Sequence, residues 1–158
     1  MKTTILCIGN TLLRDEGIGI HVLEALRAQL SGDDSLSLID GGTLSFTLAT
    51  EIESTDRLVV VDAAQLGEAP GAVRCFTGRE MDNFLGSCKR SVHEVGLLDL
   101  LDIARLTQTL PAQRALVGIQ PASVEWGEEP TDAVAAAIPV AVEKICELLD
   151  LWRTEAAA

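Results

Sequence analysis

Four polar residues, spread over three stretches of this 158-residue chain, are of types that bind metals. Asp15 and Glu16 precede a helical pattern, Asp62 ends an apolar run, and His93 falls in the first turn of a third helical pattern. One imidazole and two carboxylates form a borderline-hard ligand set that suits zinc or nickel and leaves coordination positions open. A helix N-terminus disfavours imidazolium, so His93 in a first helical turn keeps a lone pair available. Each residue also has an ordinary use. Asp15 or Glu16 can complement a helix dipole, Asp62 can cap the next segment, and His93 can face water.

Competing chemistries lack their residues. No GxGxxG or GxxxxGK[ST] loop is present, so Val59-Val60-Val61-Asp62 is a strand with an acidic end and not half of a phosphate site. No GxSxG elbow exists, and His21 and His93 are the chain's two histidines, His21 reading as a flank residue of the first helix. His93-Glu94-Val95-Gly96-Leu97 starts like HExxH but has Leu97 where the second imidazole belongs. A Cys88/His93 dyad needs a lowered thiol pKa that no neighbour supplies, so an ordinary small apolar Cys88 is the simpler reading.

The elements that must carry these residues alternate. Thr3 to Ile8, Ser35 to Ile39, Arg57 to Val61 and Arg114 to Ile119 read as strands, and Ala72 to Phe76 as a further one suited to an antiparallel edge. Helical spacing appears from Gly17 to Leu30, over Ser45 to Glu53, from Ser91 to Thr107 with Ser91 and Glu94 as a capping box, and from Thr131 onward with Pro139 near its start. The pattern predicts one α/β domain over residues 1–153, with helices on both faces of a twisted, mostly parallel five-stranded sheet in three layers, and a frayed tail at 154–158. In such sheets sites lie beyond the carboxyl ends of the strands, which is where Asp15, Glu16, Asp62 and His93 would converge, with the Asp40 turn on the same rim.

Composition narrows the partners. Twelve Lys and Arg against 24 Asp and Glu give a formal charge of −12, which argues against nucleic acid. No apolar run approaches the length of a membrane span or a signal-peptide core, and four scattered cysteines without a CxxC pair suit reduced thiols, so the expectation is a cytoplasmic protein. With 3% aromatic residues and no Tyr, the core must come from Leu, Ile, Val and Ala.

The ordered blocks Gly9-Asn10-x-Leu12-x-x-Asp15-Glu16-Gly17-x-Gly19, Asp40-Gly41-Gly42-Thr43, Val61-Asp62-Ala63, His93-Glu94-Val95-Gly96-Leu97 and Gly118-Ile119-Gln120-Pro121 with Trp126-Gly127 resemble the hydrogenase maturation protease family. The likeness runs from about Ile5 to Leu149, with Ser45 standing where family members often carry Gly. It implies a cytoplasmic endopeptidase that removes a C-terminal extension from a [NiFe] hydrogenase large-subunit precursor after nickel insertion. The resemblance assigns metal binding to Glu16, Asp62 and His93. The nickel belongs to the substrate, and zinc or another divalent ion could take its place in vitro. Asp15 or Asp40 is the candidate carboxylate for activating a water, although Asp40 could simply cap Gly41-Gly42. A module that binds the nickel-loaded precursor without cutting it is the alternative. The acidic charge further implies a precursor surface that is basic around the extension.

Overall fold

The computed structural model describes residues 1–88 and 96–158. Five strands, β1 (Thr3–Ile8), β2 (Leu36–Gly42), β3 (Arg57–Ala63), β4 (Val73–Thr77) and β5 (Gln113–Ile119), form one sheet in the order β2-β1-β3-β5-β4. All neighbours are parallel except β4, which runs antiparallel to β5 at the edge, as its sequence suggested. β1 is buried throughout, and so are the apolar stretches of β3 and β5, because both faces of the central strands are covered.

Alternate side chains feed two cores. Ile5, Cys7, Val59, Val61, Val117 and Ile119 pack beneath the helices α1 (Ile18–Gln29) and α6 (Ala137–Ala157). Leu6, Ile8, Leu58, Val60 and Leu116 face α2 (Ala49–Glu53), α3 (Arg79–Ser87) and α4 (Leu97–Leu106). This strict period of two makes the three layers that strand–helix alternation predicts.

Several boundaries differ from the sequence reading. Residues Arg79–Ser87 form a helix in a stretch to which the sequence reading assigned no element. Its apolar content is slight. Met81 is buried and the Phe84 ring stacks on Phe76 of β4, with centroids 4.3 Å apart. Much of its fixing is ionic: Asp82 accepts from Arg114 Nη2 of β5 at 2.6 Å and Nε at 3.0 Å, and from Arg105 of α4 at 3.3 Å.

In α4 the buried face is Leu97, Leu100, Leu101 and Ala104, as its spacing implied. Its described start is Gly96, whose N–H donates to Asp99 Oδ2 at 2.9 Å; the Ser91/Glu94 box lies outside the described residues. The C-terminal helical stretch is split into α5 (Asp132–Ala135) and α6. Pro139 has no N–H to offer the Ala135 carbonyl, so the helix restarts at Ala137. Helix α6 then continues to Ala157 instead of fraying after Arg153. Gln113 holds Glu155 at 2.9 Å and the buried Arg57 guanidinium holds the Trp152 carbonyl at 3.0 Å.

The Arg114 hydrogen bonds, opposed by burial and aided by the charges of Arg114, Arg105 and Arg79, hold the Asp82 carboxyl below its ordinary range. A depressed folded pKa gives stability that is present above the unfolded value of about 4 and is lost as pH falls through the folded one. Asp82→Asn is expected to destabilise the protein by about 1–3 kcal/mol at pH 7 and to flatten the acid limb of its stability profile below about pH 4. Chemical denaturation across pH measures both effects.

Candidate active site

The strands β1, β2, β3 and β5 end on one rim, and the chain after β1 is folded back onto it. Gly9 and Asn10 begin that return. The Leu12 N–H donates to Asn10 Oδ1 at 3.0 Å and the Leu13 N–H to the Asn10 carbonyl at 3.1 Å, turning the chain into a 3-10 segment, Arg14–Gly17. Two glycines then allow contact that a side chain would prevent. A Cβ on Gly9 would stand 2.4 Å from the Glu16 carbonyl oxygen. A Cβ on Gly19 would stand 2.1 Å from the Ile8 carbonyl oxygen and 2.7 Å from that of Val61. Glu16 is therefore seated over the end of β1, and the start of α1 lies against the last residues of β3, immediately before Asp62.

Asp62, half-buried, sits opposite Gly118 in the β3–β5 pairing. Asp40 sits opposite Cys7 in the β2–β1 pairing, is exposed, and accepts the Gly42 N–H on Oδ1 at 2.8 Å. It therefore does cap the glycine turn, with its second oxygen left out of that bond. Ser45 has φ −140°, an extended conformation open to any residue, so the missing family glycine leaves the backbone undisturbed.

Electrostatics link the two carboxylates. The Cys7 thiol is pushed up to about 12, first by burial, then by the charge of Asp40 and, less strongly, of Asp62, against a lowering by Arg27. Negative potential thus surrounds the end of β1, and Cys7 stays a neutral thiol. Cys75, Cys88 and Cys146 are also shifted upward, each by burial first, so none of the four free cysteines has the lowered pKa of a thiolate nucleophile.

Asp15 has a different position from the one expected of a base. It is fully buried, and its carboxylate accepts the N–H groups of Ala122 at 2.8 Å, Ser123 at 2.9 Å and Thr131 at 2.7 Å, together with the Thr131 hydroxyl at 2.9 Å. Burial opposes its ionisation, but the amides of Ser123, Thr131 and Ala122 and the Thr131 hydroxyl outweigh that and hold the carboxyl below its ordinary range. Its oxygens are committed to the loop between β5 and α5. That is the geometry of a clamp, not of a group that meets water. A second brace, which the sequence reading did not single out as a site residue, is the buried Gln120. Its Oε1 accepts the Leu66 N–H at 2.7 Å and its Nε2 donates to Gln65 at 3.0 Å, fixing the loop that follows Asp62.

The structure therefore places Glu16, Asp62 and Asp40 on one rim and withdraws Asp15 beneath it. His93 lies outside the described residues, as does any Cys88/His93 pairing. Among the described residues, no three His, Cys, Asp or Glu side chains form a metal-holding group. Glu16 and Asp62 are hard carboxylate donors, of the kind that suits a divalent ion taking further ligands from elsewhere.

A sequence profile described as hydrogenase maturation protease matches residues 20–148. The chain belongs to the hydrogenase maturation protease family. It is 34% identical over 152 residues to the hydrogenase expression/formation protein HupD of Rhizobium leguminosarum bv. viciae, covering 96% of this chain and 75% of that one. It is 33% identical to the hydrogenase 2 maturation protease of Escherichia coli strain K12, covering 94% and 91%. The fold agrees with the hydrogenase maturating endopeptidase HybD from E. coli, with a TM-score of 0.86, 32% identity and 95% and 93% of the two chains covered. The [NiFe] hydrogenase maturation protease HybD from Thermococcus kodakarensis gives 0.77 at 30% identity, covering 94% and 99%. Membership of this endopeptidase family makes the chain a hydrolase of peptide bonds.

Asp15→Asn would turn amide hydrogens toward backbone N–H groups that now donate to it. The expected loss is at least about 2 kcal/mol of stability, with faster hydrogen exchange concentrated in residues 122–131. Unchanged exchange there would show that the loop is held by other bonds.

Proposed function

We propose that this family member removes the C-terminal extension of a [NiFe] hydrogenase large-subunit precursor in the cytoplasm, acting after nickel has been inserted. The supporting observation is the rim itself, where close packing at Gly9 seats the Glu16 backbone over the end of β1 and packing at Gly19 sets the start of α1 against the end of β3, immediately before Asp62, in a chain of this family. In this reading Glu16, Asp62 and His93 engage the nickel that the precursor carries, and zinc or another divalent ion takes that place only in vitro. The engaged precursor lays its scissile peptide along the rim beside Asp40. Of the two carboxylates considered for activating water, Asp40 is the one open to solvent.

Asp40 accepts a proton from water as the water oxygen attacks the scissile carbonyl carbon. It then passes that proton to the departing nitrogen, so the C–N bond breaks to a carboxylic acid and an amine. The Gly42 N–H on Oδ1 orients the carboxylate for this transfer.

The test is the intact mass of nickel-loaded and nickel-free precursor after incubation with the protein. A discrete C-terminal loss confined to the loaded precursor is expected, abolished by Asp62→Asn and by His93→Ala. Asp40→Asn is expected to slow cleavage by about 10²–10⁴-fold while the precursor still binds. A stable nickel-dependent complex whose precursor mass never changes would instead make the protein a binding module.

A further inference from the structure

The loop fastened by Asp15 carries apolar side chains that, among the described residues, none covers. Trp126 is 81% exposed, Val124 51%, and Leu12, on the facing turn, 50%. The backbone beneath them is tightly held. The Gly127 N–H donates to the Leu12 carbonyl at 2.9 Å, the Arg14 N–H to that of Gly127 at 2.8 Å, and the Asp15 N–H to that of Ser123 at 3.0 Å. Together with the Asp15 carboxylate, these bonds pin the loop on both sides of Trp126. An indole kept in water on a well-ordered loop loses little entropy when a partner covers it, which is how interface anchors concentrate binding energy.

The surroundings specify the charge of that partner. Glu125, Glu128 and Glu129 flank Trp126 and are exposed, and residues 120–131 contain no Lys or Arg. Arg14, beneath the loop, turns its Nε onto the Glu129 carbonyl oxygen at 3.2 Å. The same turn leads through Asp15 directly into Glu16, so a segment bound here lies next to the rim.

We propose that Leu12, Val124 and Trp126 form the docking surface for the hydrogenase precursor, with Trp126 as the apolar anchor and Glu125, Glu128 and Glu129 receiving a basic stretch of the precursor that flanks the cleaved bond. This rests on the function proposed above. The net charge of −12 further favours a basic partner segment and makes docking sensitive to salt.

The test compares binding and cleavage of nickel-loaded precursor by the wild type, Trp126→Ala, the triple variant Glu125→Gln/Glu128→Gln/Glu129→Gln, and Leu106→Ala. Leu106 is 84% exposed at the far end of α4, and its variant controls for loss of any exposed apolar group. Trp126→Ala is expected to weaken binding and raise KM at least about tenfold with kcat nearly unchanged. The triple variant is expected to lose most of the salt dependence, and Leu106→Ala to match the wild type. The chain has two tryptophans, Trp126 exposed and Trp152 buried, so 5-fluorotryptophan labelling supplies a direct readout in which precursor binding shifts the Trp126 fluorine resonance alone. A wild type that cleaves the precursor while Trp126→Ala keeps its KM and the Trp126 resonance stays still overturns the docking surface and leaves the activity standing. A wild type that neither binds nor cleaves overturns both.

Discussion

A carboxylate buried in protein must be compensated, and the way Asp15 is compensated organises this molecule's working end. Among the described residues no cation bonds to it; backbone amides from both ends of the loop 122–131 and one hydroxyl do so instead. An ion satisfied by main-chain groups specifies backbone geometry more tightly than one satisfied by a long, flexible cation. The consequence is that the turn after β1 and the loop after β5 are bonded into one unit. One carries Glu16 and the other Trp126, so the carboxylate rim and the proposed docking face share a single anchor.

The sheet supplies the second half of that arrangement. Helix α1 approaches the ends of β1 and β3 so closely that only glycine fits at position 19, and the Glu16 carbonyl lies where a side chain on residue 9 would be. These contacts seat the Glu16 backbone over the end of β1 and the start of α1 against Val61, the residue before Asp62. The opposite end of the molecule has a structural task. There the buried Arg57 joins β3 to the Trp152 carbonyl and to Gln113, and helix α6 is secured along its length.

Much of this could be read from the sequence, because period-two burial in β1, β3 and β5 and helical spacing in α1, α4 and α6 are direct expressions of which faces touch the core. The strand-end position of Asp62 and the Asp40 turn followed from the same pattern. Helix α3 was not legible, since its few apolar positions are supplemented by an ion pair between residues far apart in sequence, Asp82 and Arg114. Nor was the division of labour between Asp15 and Glu16. Two adjacent acids before a helix look alike in sequence, and which one turns inward depends on amides of residues more than a hundred positions away. The helical tail was likewise hidden, because Gln113 and Arg57 hold it from the sheet.

The central claim is that the carboxyl rim meets the nickel carried by the substrate. Nickel K-edge X-ray absorption of the loaded precursor, alone and bound to this protein, tests it most directly. The account predicts added oxygen and nitrogen ligands in the complex, diminished when Glu16 or Asp62 is replaced by alanine. A nickel spectrum that is the same in free and bound precursor would contradict it.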